Sequence, residues 1–442
     1  MTTNINEQQW EEFKNDITSI YNELKNNTNG NVADYIPQLA NVNPDLFSIS
    51  VTTIDNKTFS IGDHNKSFCI QSCSKPLNYA LALDENGSEY VDKHIGIEPS
   101  GAKFNAFAFD DQNKPFNALI NAGAIVSTSL IKKKDTQDQR FEYIISKWKE
   151  ICGEDNVGFN NGVYLSEKRT ANRNYALSHL MMENNIFPEN TNIENTLELY
   201  FQCCSITMNS DSLSKFAAML ANGGVTVDTN KKVLSSSIVK SILCVMYSSG
   251  MYDYSGRWSY HVGLPAKSGV SGSIFVVIPN FCGICIYSPR LDEIGNSVRG
   301  LEFFHKLISN YRFHIFDTLV SGLEKKKNLN NSSGEKLSKL CKACCDNNIN
   351  EVNKIIESGD FDINEGDYDG RRALHIATDE CNYKCIELLL QNGADCNVTD
   401  RWQMSPYKKS LEYKDKTITS IFDKFKNCEI DYKNNNLSSE SL

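Results

Sequence analysis

The sequence predicts an α+β domain with one antiparallel sheet, followed by an all-α repeat domain. Strand patterns occur near both ends of the first domain, as alternation at Leu46–Val51 and as strand character at 273–278 and 283–287, while helical periodicity dominates from Ser72 to about Met251. Strands at the two ends with helices between them favour a single sheet that is covered by a helical insertion. A repeated helical pattern follows after a polar linker.

Local patterns assign the elements of the first domain in chain order. Ile5–Lys25 carries its apolar residues on one helical stripe and is expected to form an N-terminal helix within residues 1–30. The first strand leads through a turn at 55–57 into a partner strand, which indicates a hairpin. A helix at Ser297–Tyr311 closes the domain, to which we assign residues 31–316.

A repeat pattern indicates the second domain. A polar linker, assigned to residues 317–333, precedes it. Residues 369–397 closely resemble the ankyrin consensus, with a glycine turn, an Ala-Leu-His-x-Ala helix start and a Gly-Ala-Asp end. Weaker copies flank this unit, so we assign ankyrin repeats to residues 334–432 and expect His375 to be a structural hydrogen-bonding residue. The remaining residues, 433–442, have the composition of a disordered tail.

The bulk composition limits the classes of partner. The chain has 442 residues and a formal net charge of −10, so no nucleic acid is expected, because phosphate binding needs a basic face. No apolar run approaches the length of about 20 residues that spans a bilayer, so no membrane is expected either. The early residues carry several acids and no apolar block, which favours a cytoplasmic location and leaves a mitochondrial one open.

The 15 cysteines are scattered over the chain. We expect reduced thiols that pack as small apolar side chains. Cys282 and Cys285 have the spacing of a zinc site, but they lie in an apparent strand with no histidine at ligand spacing. The sequence therefore predicts no metal site.

The candidate catalytic residues begin with Ser72 and Lys75. Their spacing at the start of a helix-like run predicts that both lie on one face of the first helical turn. A serine hydroxyl is a weak nucleophile until a base takes its proton, and a lysine amine can be that base if burial lowers its pKa. A helix start also supplies backbone N–H groups where an oxyanion forms.

A second motif distinguishes this pair from other Ser-x-x-Lys pairs in the chain. Lys267, Ser268 and Gly269 stand directly before a strand-like run. Serine hydrolases of the β-lactamase and penicillin-binding class combine Ser-x-x-Lys on a helix with Lys-[Ser/Thr]-Gly on a neighbouring strand. The two motifs, in this order, predict a serine nucleophile in a domain of that class.

Six sequence blocks occur here in the order found in one enzyme family. They are Ala33–Leu39, Gln71–Leu77, Glu98–Gly101, Asn121–Ile125, Ser249–Asp253 and Gly263–Val270. Through these blocks, residues from Asp34 to about Phe316 closely resemble the glutaminases, which are serine-dependent amidohydrolases with a β-lactamase-like fold. The ankyrin-like repeats make the chain similar to the animal kidney and liver type.

The resemblance implies hydrolysis of the side-chain amide of L-glutamine to L-glutamate and ammonia through a Ser72 acyl-enzyme. In this scheme Lys75 activates the serine and Tyr252 shuttles protons, and which of the two acts first stays open. The backbone N–H groups of Ser72 and Val270 correspond to the family's oxyanion hole. The residues that match the family's contacts to the substrate's amino-acid end are Tyr35, Asn121, Glu167, Asn174 and Tyr200.

The resemblance also implies properties beyond the site. It indicates a homo-oligomer, expected to be a tetramer, in which the segment Gly101–Pro115 gates activity through assembly. It implies no cofactor and leaves open an activation by inorganic phosphate. The ankyrin repeats are suited to a protein partner, which the sequence does not identify.

Two alternatives stay open at this point. One is a β-lactamase or penicillin-recognising hydrolase of the same fold, although Glu167 and the paired asparagines suit a small zwitterion better. The other is an inactive scaffold whose ankyrin repeats bind a partner, although the serine, lysine and tyrosine are all in place. Taken singly, each site residue also has an ordinary structural role, such as a helix N-cap for Ser72 or a core position for Tyr200.

Overall fold

The computed structural model of the chain describes residues 5–101, 106–319, 326–327, 329, 333–357, 362–367, 369–413 and 415–425. The chain divides after Leu329 into two compact units. The tail expected at 433–442 and part of the expected linker lie outside the described residues. The domain boundaries assigned from the sequence stay predictions.

The described strands of the first unit form a main sheet of five and a second sheet of three. They are β1 (Ser48–Thr53), β2 (Thr58–Gly62), β3 (Phe68–Cys69), β4 (Gly158–Phe159), β5 (Ile206–Met208), β6 (Ala266–Gly269), β7 (Ser273–Ile278) and β8 (Cys282–Tyr287). The main sheet has the order β2-β1-β8-β7-β6 and is antiparallel throughout. This confirms the prediction of one antiparallel sheet built from the two ends of the domain.

Helices make up most of the rest of the first unit. They are α1 (Glu7–Leu24), α2 (Pro37–Ala40), α3 (Lys75–Asn86), α4 (Ser88–Val91), α5 (Asn121–Leu130), α6 (Gln137–Cys152), α7 (Asn161–Thr170), α8 (Asn172–Glu183), α9 (Ile193–Cys204), α10 (Ser210–Ala221), α11 (Ser236–Ser249), α12 (Ser255–His261) and α13 (Val298–Asn310). The helices expected at the two ends of the domain are confirmed as α1 and α13. Within the described ranges, no helix combines the length and the apolar character that crossing a bilayer requires.

The main sheet separates two apolar cores. One core joins α1 and α13 to one face of the sheet and includes Phe13, Ile49 and Phe304. The other core joins the opposite face to the helical insertion and includes Trp148 and Phe216. Strands β1, β7 and β8 are buried along their whole length because both faces of the sheet are covered.

Helix α10 packs unusually close to β8. A β-carbon at Gly283 would lie only 2.2 Å from the backbone nitrogen of Ala218 and 2.5 Å from the β-carbon of Ala217. Glycine on the strand and alanine on the helix therefore allow the two backbones to approach. This contact fixes the helical insertion, and with it the candidate site, on the sheet.

Two sequence-based expectations need correction. The region expected to be helical also contributes to the small sheet β3-β5-β4, whose strands of two or three residues are too short to show alternation. The strand expected at Leu46–Val51 begins only at Ser48.

The cysteine pair on β8 belongs to the two cores. Cys282 packs in the core that contains α1, and Cys285 packs in the core of the helical insertion. Residues three apart on a strand point to opposite faces, so these two thiols cannot bind one ion together. Their position inside a strand is as expected.

The second unit is helical. The helices of its described residues are α14 (Ser333–Cys345), α15 (Ile349–Glu357), α16 (Ala373–Asp379), α17 (Tyr383–Gln391), α18 (Pro406–Glu412) and a further one at 416–425. His375 accepts a hydrogen bond through Nδ1 from the backbone N–H of Arg372 at 3.2 Å, and its Nε2 lies 3.2 Å from the carbonyl oxygen of Met404. The prediction that this histidine is a structural link is confirmed.

Candidate active site

Ser72 lies on a 3-10 turn, Gln71–Ser74, between strand β3 and helix α3. The helix itself begins at Lys75, with Pro76 in its first turn, where a missing backbone N–H costs no hydrogen bond. The expectation that Ser72 and Lys75 share the first turn of one α-helix is therefore wrong in detail. The serine precedes the helix, and the lysine starts it.

The backbone is strained at two positions of the site. Gln71 has a φ of +48° and Tyr252 has a φ of +53°, a region that residues with a β-carbon rarely adopt. Such conformations cost about 1–3 kcal/mol each and persist where the surroundings impose them. Both strained residues lie at the nucleophile, one directly before Ser72 and one facing it.

Lys75 is fully enclosed, with an exposed fraction of 1%. Its Nζ donates to the carbonyl oxygen of Leu119 at 3.1 Å and to Oδ1 of Asn121 at 2.8 Å. Burial, aided by the nearby charge of Lys267, lowers the pKa of Lys75 to about 7. In a large fraction of the molecules, Lys75 is therefore a neutral amine near neutral pH and can accept a proton.

Tyr252 is buried opposite the nucleophile, on the 3-10 turn Tyr252–Tyr254. Burial raises its pKa above the ordinary value, and interaction with the Ser72 side chain opposes this rise. The phenol is therefore protonated at neutral pH and adjacent to the serine hydroxyl. The structure thus brings the serine, the lysine and the tyrosine of the predicted set together.

Asn121 and Asn174 extend the hydrogen-bond network of Lys75. Asn121 is the first residue of α5, and its Nδ2 donates to Oδ1 of Asn174 on α8 at 3.1 Å. Oδ1 of Asn121 accepts from Lys75, so the side-chain amide of Asn121 links the Lys75 amine to Asn174. The orientation of the Asn121 side chain is fixed at both ends.

Glu167, on α7, is the negative group of the site. Its Oε1 accepts from the hydroxyl of Tyr35 at 2.7 Å and from Nε2 of Gln71 at 3.0 Å. Burial raises the pKa of Glu167, and the two hydrogen bonds oppose that rise. Tyr35 is 46% exposed, so it lies at the solvent side of these site residues.

Tyr200 and Val270 complete the predicted set. Tyr200, on α9, is buried near Cys204 and Glu167, and burial raises its pKa well above the ordinary value. Val270 directly follows Gly269, the last residue of β6. A β-carbon at Gly269 would lie 2.9 Å from the carbonyl oxygen of Ile70, the residue before the turn that carries Ser72. Strand β6 therefore packs against the turn that carries the serine.

Sequence reasoning missed two residues of the site. Gln71 orients Glu167, and its signal was only its place beside Ser72. Lys267 was noticed as part of a motif but was not assigned to the site, although its Nζ lies 4.6 Å from the centroid of the Tyr252 ring. The Lys-Ser-Gly motif was the signal that could have identified it.

Comparisons with known proteins find one family over most of the first unit. The family model described as glutaminase matches residues 30–316, and a model of three ankyrin repeats matches residues 304–400. Putative glutaminase 3 of Caenorhabditis elegans is 43% identical over 401 residues, which cover 90% of this chain and 69% of that protein. The mitochondrial glutaminase liver isoform of Mus musculus is 38% identical over 91% of this chain and 68% of that protein. A glutaminase of a Nostoc strain is 45% identical over 70% of this chain and 90% of that protein.

Solved structures of similar proteins share the fold of the first unit. A probable glutaminase superposes with a TM-score of 0.66 at 36% identity and covers 69% of this chain and 98% of its own. The protein Mglu, in its tris and glutamate form, superposes with a TM-score of 0.65 at 34% identity and covers 69% of this chain and 67% of its own. The predicted β-lactamase-like fold followed by ankyrin repeats is confirmed. The chain belongs to the glutaminase family.

Proposed function

We propose that this chain hydrolyses the side-chain amide of L-glutamine to L-glutamate and ammonia through an acyl-enzyme on Ser72. Membership of the glutaminase family supports the reaction. The observation that carries the mechanism is the hydrogen-bond chain from Lys75 through Asn121 to Asn174, which begins beside the nucleophile. It links a candidate base to a candidate binding site for the substrate.

The polar groups of the candidate site are suited to the two charges of a free amino acid. The amides of Asn121 and Asn174 can donate to the substrate carboxylate, and Glu167 supplies a negative charge for the ammonium group. Tyr35 and Tyr200 lie next to Glu167 and enclose this end. A site with such buried polar groups rejects analogues that leave them unpaired.

At the other end of the substrate, the Ser72 oxygen attacks the amide carbon as its proton moves to Lys75 or Tyr252. The amide oxygen becomes an oxyanion that accepts from the backbone N–H groups of Ser72 and Val270. Each such donor is typically worth on the order of 3 kcal/mol in the transition state. Tyr252 then passes a proton to the departing nitrogen, the carbon–nitrogen bond breaks, and ammonia leaves. Where Lys75 received the serine proton, it returns that proton to Tyr252, so both groups regain their starting states before water attacks.

The acyl-enzyme is then an ester between Ser72 and the side-chain carboxyl of glutamate. A water molecule loses a proton to the same basic group and attacks the ester carbon. The bond to the serine oxygen breaks, that oxygen regains a proton, and glutamate is released. The enzyme returns to its starting protonation state.

Glutamine-dependent ammonia release from the purified protein tests this function. We expect ammonia release from glutamine and little from asparagine. The shorter side chain of asparagine cannot reach Ser72 while its carboxylate and ammonium groups are bound. Ser72→Ala should lower kcat by about 10⁴-fold or more and leave the fold intact. Hydrolysis of a chromogenic β-lactam without any release from glutamine would favour the alternative hydrolase, and normal turnover by the variant would remove Ser72 from the mechanism.

Further properties of the chain are proposed on the same basis. We infer a homotetramer, a protein partner for the ankyrin repeats and a cytoplasmic location, and we keep activation by inorganic phosphate as a proposal. The ankyrin model match supports a partner of protein type. The mouse relative is described as mitochondrial, and a mitochondrial location is the alternative.

A further inference from the structure

Lys267 is a buried cation for which the mechanism above has no use. It lies on β6 with an exposed fraction of 1%. Its Nζ donates to the carbonyl oxygen of Ser268 at 2.6 Å and lies 4.6 Å from the centroid of the Tyr252 ring. A cation at this distance from an aromatic ring is attracted by the ring, most strongly where water is excluded.

Two lysines therefore share one buried site. Among the described residues, no carboxylate forms a salt bridge with Lys75 or Lys267. The other titratable groups that face them are Tyr252 and the thiols of Cys73 and Cys204. Burial raises the pKa of all three, so at neutral pH they carry no negative charge that could compensate two ammonium groups.

Two like charges in one dry site disfavour each other, so one lysine gives up its proton more readily. Burial lowers the pKa of both amines, to about 7 for Lys75 and to about 8 for Lys267. The aromatic ring faces Lys267 and favours a charge there. Near neutral pH the preferred arrangement is a charged Lys267 and a neutral Lys75.

We propose that Lys267 is a positioning residue of this site, which holds the Tyr252 ring beside the Ser72 hydroxyl and makes Lys75 the amine that receives the serine proton. This inference rests on the proposed function and deepens it, because it assigns the first proton transfer to Lys75. The serine proton passes to the neutral Nζ of Lys75 as the serine oxygen bonds to the substrate carbon. Tyr252 gives its own proton to the leaving nitrogen and takes back a proton from the Lys75 ammonium, so Lys75 is neutral again when water attacks.

The pH dependence of kcat/KM for glutamine tests the inference. Because neutral Lys75 is the base, activity should rise with pH through about 7 and fall as Lys267 loses its charge near pH 8. Lys267→Met removes the like charge, raises the pKa of Lys75 and so moves the rising limb to higher pH. At pH 7 we expect kcat to fall roughly tenfold or more while KM changes little.

The charge-retaining variant provides the matched comparison. In Lys267→Arg the positive charge persists at all accessible pH values, so the rising limb should stay in place and the falling limb should move to higher pH. Lys306→Met, which removes a partly exposed lysine paired with Glu23, should leave the whole profile unchanged. A residue with only a packing role would change stability or kcat without moving either limb.

Each outcome decides one claim. A wild-type protein that releases no ammonia from glutamine contradicts the proposed function, whereas an active wild type with an unmoved rising limb in Lys267→Met contradicts only the role of Lys267. A rising limb that moves in Lys267→Arg also contradicts it. If neither variant folds, NMR titration of the lysine side chains in the wild type decides, because Lys267 must keep its charge at the pH where Lys75 loses its own.

Discussion

Burial determines the chemistry of single residues in this site. Lys75 and Lys267 would be fully charged in water, but enclosure lowers the pKa of both amines to near-neutral values. The same burial raises the pKa of Tyr252 and keeps it protonated, because the charged form of a phenol is the phenolate. The buried residues around Ser72 therefore include both a candidate proton acceptor, Lys75, and a proton donor, Tyr252.

Tyr252→Phe tests the donor. Phenylalanine keeps the ring that faces Lys267 but has no proton to give to the leaving nitrogen, so kcat should fall by about 10²- to 10⁴-fold while KM changes little. Steady-state kinetics with glutamine measure both constants. Tyr260→Phe, at a tyrosine that is 80% exposed, is the control and should behave as the wild type. A variant whose KM rises while kcat stays constant would make Tyr252 a binding residue only.

At the scale of elements, the site depends on how the helical insertion and the sheet are held together. The nucleophile turn packs against β6, while α10 packs against β8 through Gly283. The sequence predicted β8 from its apolar run, but it placed the Lys-Ser-Gly motif before a strand, whereas the motif itself forms part of β6. It could not predict the 3-10 turn at Ser72 or the strained φ of Gln71, because both are imposed by contacts that are distant in sequence.

Gly283→Val tests the contact between α10 and β8. The added side chain would overlap the helix backbone, so the free energy of unfolding should fall by about 3 kcal/mol. Urea titration that follows the loss of ammonia-forming activity measures the change. Gly256→Ala, in a helix where an added β-carbon meets open space, is the control and should be neutral or slightly stabilising. Equal midpoints for the Gly283 variant and the wild type would contradict the close packing.

At the scale of the whole molecule, the sequence indicated the order of its parts well. Both the α+β domain and the ankyrin repeats were predictable, because each leaves a regular pattern over many residues. Glu167, Asn174 and Tyr200 lie outside the six blocks, on three separate helices, and were predictable only through the resemblance to the family. Gln71 and Lys267 escaped assignment because their roles depend on partners brought close only by folding.

Assembly can be tested at this scale through the segment Gly101–Pro115. Pro99, Ser100 and Gly101 line a cavity of about 350 Å³ together with Tyr252, while residues 102–105 lie outside the described residues. If the segment gates activity through assembly, specific activity should fall on dilution as oligomers dissociate. Ultracentrifugation at the same concentrations gives the oligomer size. Constant specific activity across the dissociation would contradict the gating.

The proposed mechanism requires a covalent intermediate on Ser72, which mass spectrometry of the enzyme during turnover can detect. The protein is mixed with glutamine, quenched in acid within the turnover time and digested. We predict that the peptide containing Ser72 gains the mass of one glutamyl group, and that Ser72→Ala shows no such gain. A peptide of unchanged mass, under conditions in which ammonia is being released, would contradict the mechanism.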